Sequence, residues 1–324
     1  MKKYTLNDQE FPVVLSPSEE NFDLIDWASN SRDYIRELLN KHGAILFRNF
    51  DVDTIEAFEE FSAKATSDNW VEYREAATPR SHVNGNVFTS TEYPASETIF
   101  FHNENSHTTT WPLYLCFYCK TPAETGGETP LADCRKIYSD IPLELRNEFE
   151  AKNVMYSRSF GYGLGIPWKK GFPVNSQQEM VDYCHLHDMQ PVWGRGEQLN
   201  LRYTRWASLD HPVTQDKVWF NHATFFNFYS LNPDTRSLIE QHIGQQHAPY
   251  NTYYGDGSEI TQESIELLRS LYQKHSIKIP YQKNDVLLID NMLVAHGRMP
   301  FTGTREVFVT MNHLLSKDQF KLNN

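Results

Sequence analysis

The chain reads as one mainly β domain with flanking helices. Two clusters of strand signal predict this, at residues 98–133 and 285–311. So does the absence of an alternating βαβ pattern opening on a Gly-rich phosphate loop, which disfavours a doubly wound dinucleotide fold. The 324 residues, 40% of them hydrophobic and 14% aromatic, can fill a large core. Length alone suggests about two domains, yet barrels and sandwiches with insertions reach this size as one unit. Residues 136–283 are of mixed character and show no boundary signal at either edge. They read as an insertion within a single domain covering 1–324.

The elements follow in order. Gly43–Phe50 is a buried strand. Asp53 is expected to cap a helix that carries Ile55, Phe58 and Phe61 on one face. Thr98–Glu104 and Leu113–Cys119 are strands, Gly126 and Gly127 mark a turn, and Thr129–Asp133 follows it. Pro142–Lys152 and Gln262–His275 are helical. Val286–Asp290 is a short buried strand. A turn holding Gly297, Pro300 and Gly303 leads into a last strand, Arg305–Met311.

Composition excludes several function classes. Thirty basic against 42 acidic residues give a net charge of −12, which suits no general phosphate-backbone binder. Met1–Glu10 has no apolar signal region, and no run approaches the length of a membrane span. Cys116 and Cys119 have Cys-x-x-Cys spacing, but on a strand positions three apart face opposite ways and do not chelate. Reduced core cysteines fit a cytoplasmic protein.

Three features carry chemistry. His102-Asn103-Glu104 is the only His-x-Asp/Glu in the chain. On a strand, residues two apart share a face and can reach one metal ion. In isolation the pair could equally be a solvated polar pair. His296 follows the Val286–Asp290 strand, and alone it could be a structural histidine. Arg305 shares strand parity with Val307, Val309 and Met311. If that face is inward, its guanidinium needs an anionic partner, and its planar fork suits a carboxylate. Two histidines and one carboxylate bind one face of an octahedral Fe(II) and leave the rest open. A 2-oxo acid could chelate two open positions and O2 the third, with Arg305 on the far carboxylate.

At these residues the sequence resembles the taurine dioxygenase/clavaminate synthase-like (TauD/TfdA) superfamily of Fe(II)/2-oxoglutarate-dependent oxygenases. Within it the likeness is to syringomycin-type members that modify amino acids in specialised metabolism. The matching blocks run along most of the chain: Gly43–Phe50, Thr78–Arg80, Thr89–Pro94, Ile99–Ser106, Trp111-Pro112, Pro122–Asp133, Trp219–Asn221, Tyr254–Ser258, Asn284–Asn291 and His296–Arg305. The resemblance implies a double-stranded β-helix, or jelly roll, with the metal at its open mouth. It implies His102, Glu104 and His296 as Fe(II) ligands. Thr129 and Arg305 correspond to the 2-oxoglutarate contacts, with Arg298 a second basic candidate.

By the same resemblance, 2-oxoglutarate and O2 yield succinate and CO2 as a C–H bond is oxidised. Hydroxylation leads; desaturation, epoxidation and oxidative decarboxylation are diverted outcomes. Halogenating relatives put a small residue where this chain has Glu104, and sulfonate-using relatives have an arginine where it has Val309, so both chemistries are disfavoured. The implied substrate is a small molecule, an amino acid or derivative, free or tethered to a carrier protein. The acidic surface favours a free or cationic one. Asn221, His222, Arg80, Glu92 and Arg158 are candidate substrate contacts, and His107 a polar residue at the entrance. A catalytically silent metabolite-binding jelly roll and a Zn(II) hydrolase are the competing readings. No general base stands out for the hydrolase.

Overall fold

The computed structural model describes residues 1–6, 11–66, 70–71, 81–91 and 93–320. Its frame is a mainly antiparallel jelly roll. An eight-stranded sheet runs in the order Lys2–Thr5, Val13–Ser16, Ala44–Phe47, Val286–Asp290, Thr110–Thr121, Glu306–Ser316, Val87–Thr89, His82–Asn84. A four-stranded sheet holds Ser276–Ile279, Thr129–Asp133, Val294–Arg298 and Ile99–His102. From Ile99 on, the roll strands switch between the two sheets, except that Ser276–Ile279 rejoins the four-stranded sheet where Thr129–Asp133 left it. One pair is parallel, Val13–Ser16 with Ala44–Phe47.

Thr110–Thr121 is the central strand, and both its faces are covered. Its even and odd positions meet different layers. Tyr118 stacks on Phe58 of the helix Ile55–Ala65 at 5.3 Å, while Phe117 packs on the His296 ring at 5.2 Å inside the roll. A strand buried on both sides reads as a continuous apolar run, as Leu113–Cys119 does. All four cysteines are buried and unbridged. Cys116 lies beside Ser62 on the helical face and Cys119 near Arg305 on the inner one, as strand alternation demands.

Two local expectations are corrected. The helix Ile55–Ala65 is capped by Thr54, not Asp53: Thr54 is extended and its Oγ1 accepts from Ala57 N at 3.1 Å. Asp53 lies one residue too early for that bond. The strand at 98–104 ends at His102, and Glu104 stands in the turn beyond it. The last strand runs further than expected, Glu306–Ser316, and Arg305 immediately precedes it.

Residues 136–283 contain a further antiparallel sheet outside the roll, ordered Gln190–Trp193, Leu199–Arg205, Val154–Phe160, Tyr250–Tyr254. Ser276–Ile279, near the end of this stretch, instead pairs with Thr129–Asp133 in the roll. A buried ion pair ties the end of Ala44–Phe47 to the turn before Val286–Asp290. Arg48 Nε and Nη2 donate to Asp285 at 3.0 and 2.6 Å, and Nη2 also donates to Pro280 O at 2.8 Å. Among the described residues no helix is long and apolar enough to cross a membrane.

Candidate active site

His102 and His296 are directly opposed across neighbouring strands. Cross-strand partners on one face bring their Cβ atoms to about 5 Å, and the two rings lie 4.4 Å apart between centroids. The strand of His296 runs very close to its neighbour here. A Cβ on Gly297 would come within 2.5 Å of Ile99 O, so only glycine fits beside the ligand pair. His102 Nδ1 sits 3.0 Å from Phe100 O, which assigns the proton to Nδ1 and makes Nε2 the nitrogen with a lone pair to offer a metal. That Nε2 is 4.0 Å from Glu104 Oε2.

Glu104 reaches this point by a different route from the one strand parity implies. It rides on a turn clamped by Asn291. Glu104 N donates to Asn291 Oδ1 at 2.7 Å, and Asn291 Nδ2 donates to Glu104 O and Pro112 O, each at 2.9 Å. Asn103 Nδ2 adds a bond to Asn291 O at 2.7 Å. Asn291 itself sits in a fastened loop. Asp290 Oδ1 accepts from Met292 N and Leu293 N, and Asp290 Oδ2 lies 3.0 Å from His211 Nε2. Sequence reasoning noted the 284–291 block but assigned Asn291, Asp290 and His211 no part. Their one sequence signal is the polar Asp-Asn pair ending an apolar strand.

The result is a buried cluster. The ligand atoms of His102, Glu104 and His296 lie within 4.8 Å of one another, the one such group of three or more among the described residues. Two imidazoles and a carboxylate on one side, with open space on the other, fit a divalent ion of the Fe(II) class. Next to them is a small pocket lined by Ser90, Phe117, Thr129, His296, Arg298 and Arg305 among others.

The two arginines of this pocket are not equivalent. Arg298 gives its guanidinium to three carbonyls, Tyr93 O at 2.9 Å, Pro94 O at 2.6 Å and Glu97 O at 2.8 Å, and so secures the 93–97 segment. Arg305 has only Gly127 O at 3.0 Å and Ser90 Oγ at 3.5 Å, and makes no ion pair among the described residues. Burial works against its charge and lowers its pKa, so an anion in the pocket is the natural counterpart. Strand parity left its direction open and only grouped it with Val307 and Val309; those two pair with Cys119 and Phe117 on the inner face.

On the other side of His102 stands a polar and aromatic wall. His222 Nδ1 lies 2.6 Å from Ser106 Oγ, and His222 N donates to Tyr156 OH at 2.9 Å. Its ring is 6.0 Å from that of His102, with Phe225 4.8 Å from His102. Burial, then the neighbouring His107, His102 and His296, hold His222 well below the usual imidazole pKa. His107 is not at an entrance. It is buried, 3.1 Å from Tyr203 OH. Asn221 uses its side chain on its own loop, donating to Ala207 O at 2.6 Å and accepting from Ala223 N at 2.8 Å. Arg158 is fully buried between Phe160, Phe172 and Tyr250. Arg80 and Glu92 lie outside the described residues.

A jelly roll with this donor set defines the class as a non-haem iron oxygenase. The sequence matches the family described as "Taurine catabolism dioxygenase TauD, TfdA family" over residues 10–311. It is 34% identical over 277 residues to the dapdiamide synthesis protein DdaC of Enterobacter agglomerans, covering 86% of this chain and 84% of that one. A clavaminate synthase-like protein of Arabidopsis thaliana is 26% identical, with 93% of each chain covered. Among solved structures, AAD-2 with Mn(II) and N-oxalylglycine superposes with a TM-score of 0.57 at 13% identity, covering 96% of this chain and 97% of that one. PvcB of Pseudomonas aeruginosa gives the same score and identity over 98% of each chain. The chain belongs to the TauD/TfdA family and is an Fe(II)/2-oxoglutarate-dependent dioxygenase.

Proposed function

We propose that this enzyme oxidises, most simply hydroxylates, a C–H bond of an amino acid or amino-acid-derived small molecule in specialised metabolism. The observation that carries the proposal is one pocket with two ends. His102, Glu104 and His296 converge at one end, and Arg305, which makes no ion pair among the described residues, sits with Thr129 at the other. Iron bound there supplies O2 activation coupled to decarboxylation of 2-oxoglutarate to succinate and CO2. His102 and His296 hold the metal through ring nitrogens oriented by the strands that carry them, and Glu104 through the turn held by Asn291. Arg305 receives the distal carboxylate of the cosubstrate, with Thr129 as hydrogen-bond partner. Arg298 serves the same pocket indirectly by securing the 93–97 segment.

The substrate class is supported by the identity to a protein named for dapdiamide synthesis. We assign substrate contact to His222 and Phe225, whose rings lie beside His102, and to Phe226, whose ring lies against His222. Asn221 and Arg158 shape this wall. A net charge of −12 favours a free or cationic substrate over one borne by an acidic carrier protein. Residues 1–324 act as one oxygenase domain whose insertion at about 136–283 walls the substrate side. Four buried thiols fit a reducing, cytoplasmic setting.

The test is anaerobic titration of the Fe(II)-loaded protein with 2-oxoglutarate, following the weak visible charge-transfer band. A band that Arg305→Gln weakens, and that Glu104→Ala abolishes, supports the assignment. Metal binding without a band would overturn the cosubstrate site and return the hydrolase or silent-binder alternatives. A carrier-bound substrate would be revealed if succinate release responds to aminoacyl-carrier protein and not to free amino acids.

A further inference from the structure

A buried phenol beside Arg305, that of Tyr281, carries a hydroxyl shut off from solvent and left without a hydrogen bond among the described residues. Buried polar groups of this kind are uncommon and call for an explanation. The ring of Tyr281 lies 5.9 Å from the Arg305 guanidinium, and its hydroxyl stands beside Thr129 without forming a bond of good geometry.

Sheet register brings these groups together. Ile279 is opposite Thr129 in the pairing of Ser276–Ile279 with Thr129–Asp133, so the chain leaves the sheet next to Thr129 and Tyr281 follows two residues on. Tyr281 is then pinned on both sides. Pro280 O accepts from Arg48 Nη2 at 2.8 Å, and Gln282 N donates to Asp285 Oδ2 at 2.7 Å. The buried Arg48–Asp285 pair therefore brackets Tyr281 directly. A rigid backbone under an unsatisfied donor is the arrangement expected of a preorganised binding group.

We propose that the Tyr281 hydroxyl is a third ligand for the distal carboxylate of the cosubstrate, donating a hydrogen bond beside Arg305 and Thr129. It rests on the assignment of Arg305 to that carboxylate. Burial raises the phenol's pKa further above its ordinary value, so the group stays a neutral donor throughout the working pH range. A phenol of this kind adds directionality to a carboxylate that the arginine alone would hold mainly by charge. It also selects against 2-oxo acids lacking the second carboxylate, which would leave the hydroxyl orphaned.

The decisive variant is Tyr281→Phe, because it removes one oxygen and no existing hydrogen bond. Ligand-free Tyr281→Phe protein should therefore melt at or above the wild-type temperature. Anaerobic titrations of the Fe(II)-loaded protein should show the 2-oxoglutarate dissociation constant raised roughly tenfold. The constant for 2-oxobutyrate, which lacks the distal carboxylate, should be unchanged. Metal affinity, measured with Mn(II) alone, should also be unchanged. If Arg305→Gln weakens 2-oxoglutarate binding and Tyr281→Phe does not, the inference is overturned and the Arg305 assignment stands. If neither variant weakens it, both fall. Equal weakening of both 2-oxo acids would also overturn the inference, since it would report general distortion.

Discussion

Replacing Asn291 by alanine tests how the carboxylate ligand is aimed. The side chain accepts from Glu104 N and donates to Glu104 O and Pro112 O, and it is wholly buried. Alanine strands three backbone groups that water reaches poorly. Each orphaned buried group costs about 1–3 kcal/mol, so the loss is about 3–9 kcal/mol before relaxation. A domain holds about 5–15 kcal/mol in all. The lower half of the range is the expectation, because the vacated space can shrink around the freed groups, and Tm should fall by roughly 10 °C. The turn bearing Glu104 would then be free to shift. Loss of a partner that orients a metal ligand typically weakens binding by about 10–100-fold. Thermal melts of the metal-free protein, and Mn(II) titrations run below the melting range, read the two effects separately. A variant with Tm within about 2 °C of wild type and an unchanged Mn(II) dissociation constant would refute the clamp.

Gly127 has φ +72°, and a Cβ there would lie 3.1 Å from Arg305 Cδ and 3.0 Å from Ala123 Cβ. Gly127→Ala should cost about 1 kcal/mol in backbone strain, displace the Arg305 stem and weaken 2-oxoglutarate binding several-fold with Mn(II) affinity intact. An unchanged 2-oxoglutarate titration would count against it. Arg48→Met strands the buried Asp285 carboxylate and should destabilise by about 3–5 kcal/mol in denaturant melts, whereas Arg48→Met with Asp285→Leu should recover much of the loss. Thr54→Ala removes a single helix cap and should cost about 0.5–2 kcal/mol without altering any ligand titration; an equal effect from Asp53→Ala would contradict the cap assignment.

Local pattern carried much of the architecture. The apolar run Leu113–Cys119 and the alternation after Arg305 mark strands because side-chain direction on a strand follows from a period of two, whatever lies around it. The same rule separated Cys116 from Cys119 and grouped Arg305 with Val307 and Val309, while the packing decided that this face is the inner one. The His102–Glu104 spacing suggested a shared strand face, yet the strand stops at His102 and Glu104 is aimed by Asn291, 187 residues away in sequence. Arg298 and Arg305 are chemically identical in sequence; only the neighbouring chain shows that three carbonyls engage one and leave the other to the pocket. His107 looked like an entrance residue until the sheet outside the roll covered it with Tyr203. The sequence by itself determined which residues form strands and which side chains could bind a metal, because those depend on local periodicity and intrinsic chemistry. Tertiary structure decided which polar groups are already satisfied and which remain to bind something, because hydrogen bonds and burial are settled by segments far apart in the chain.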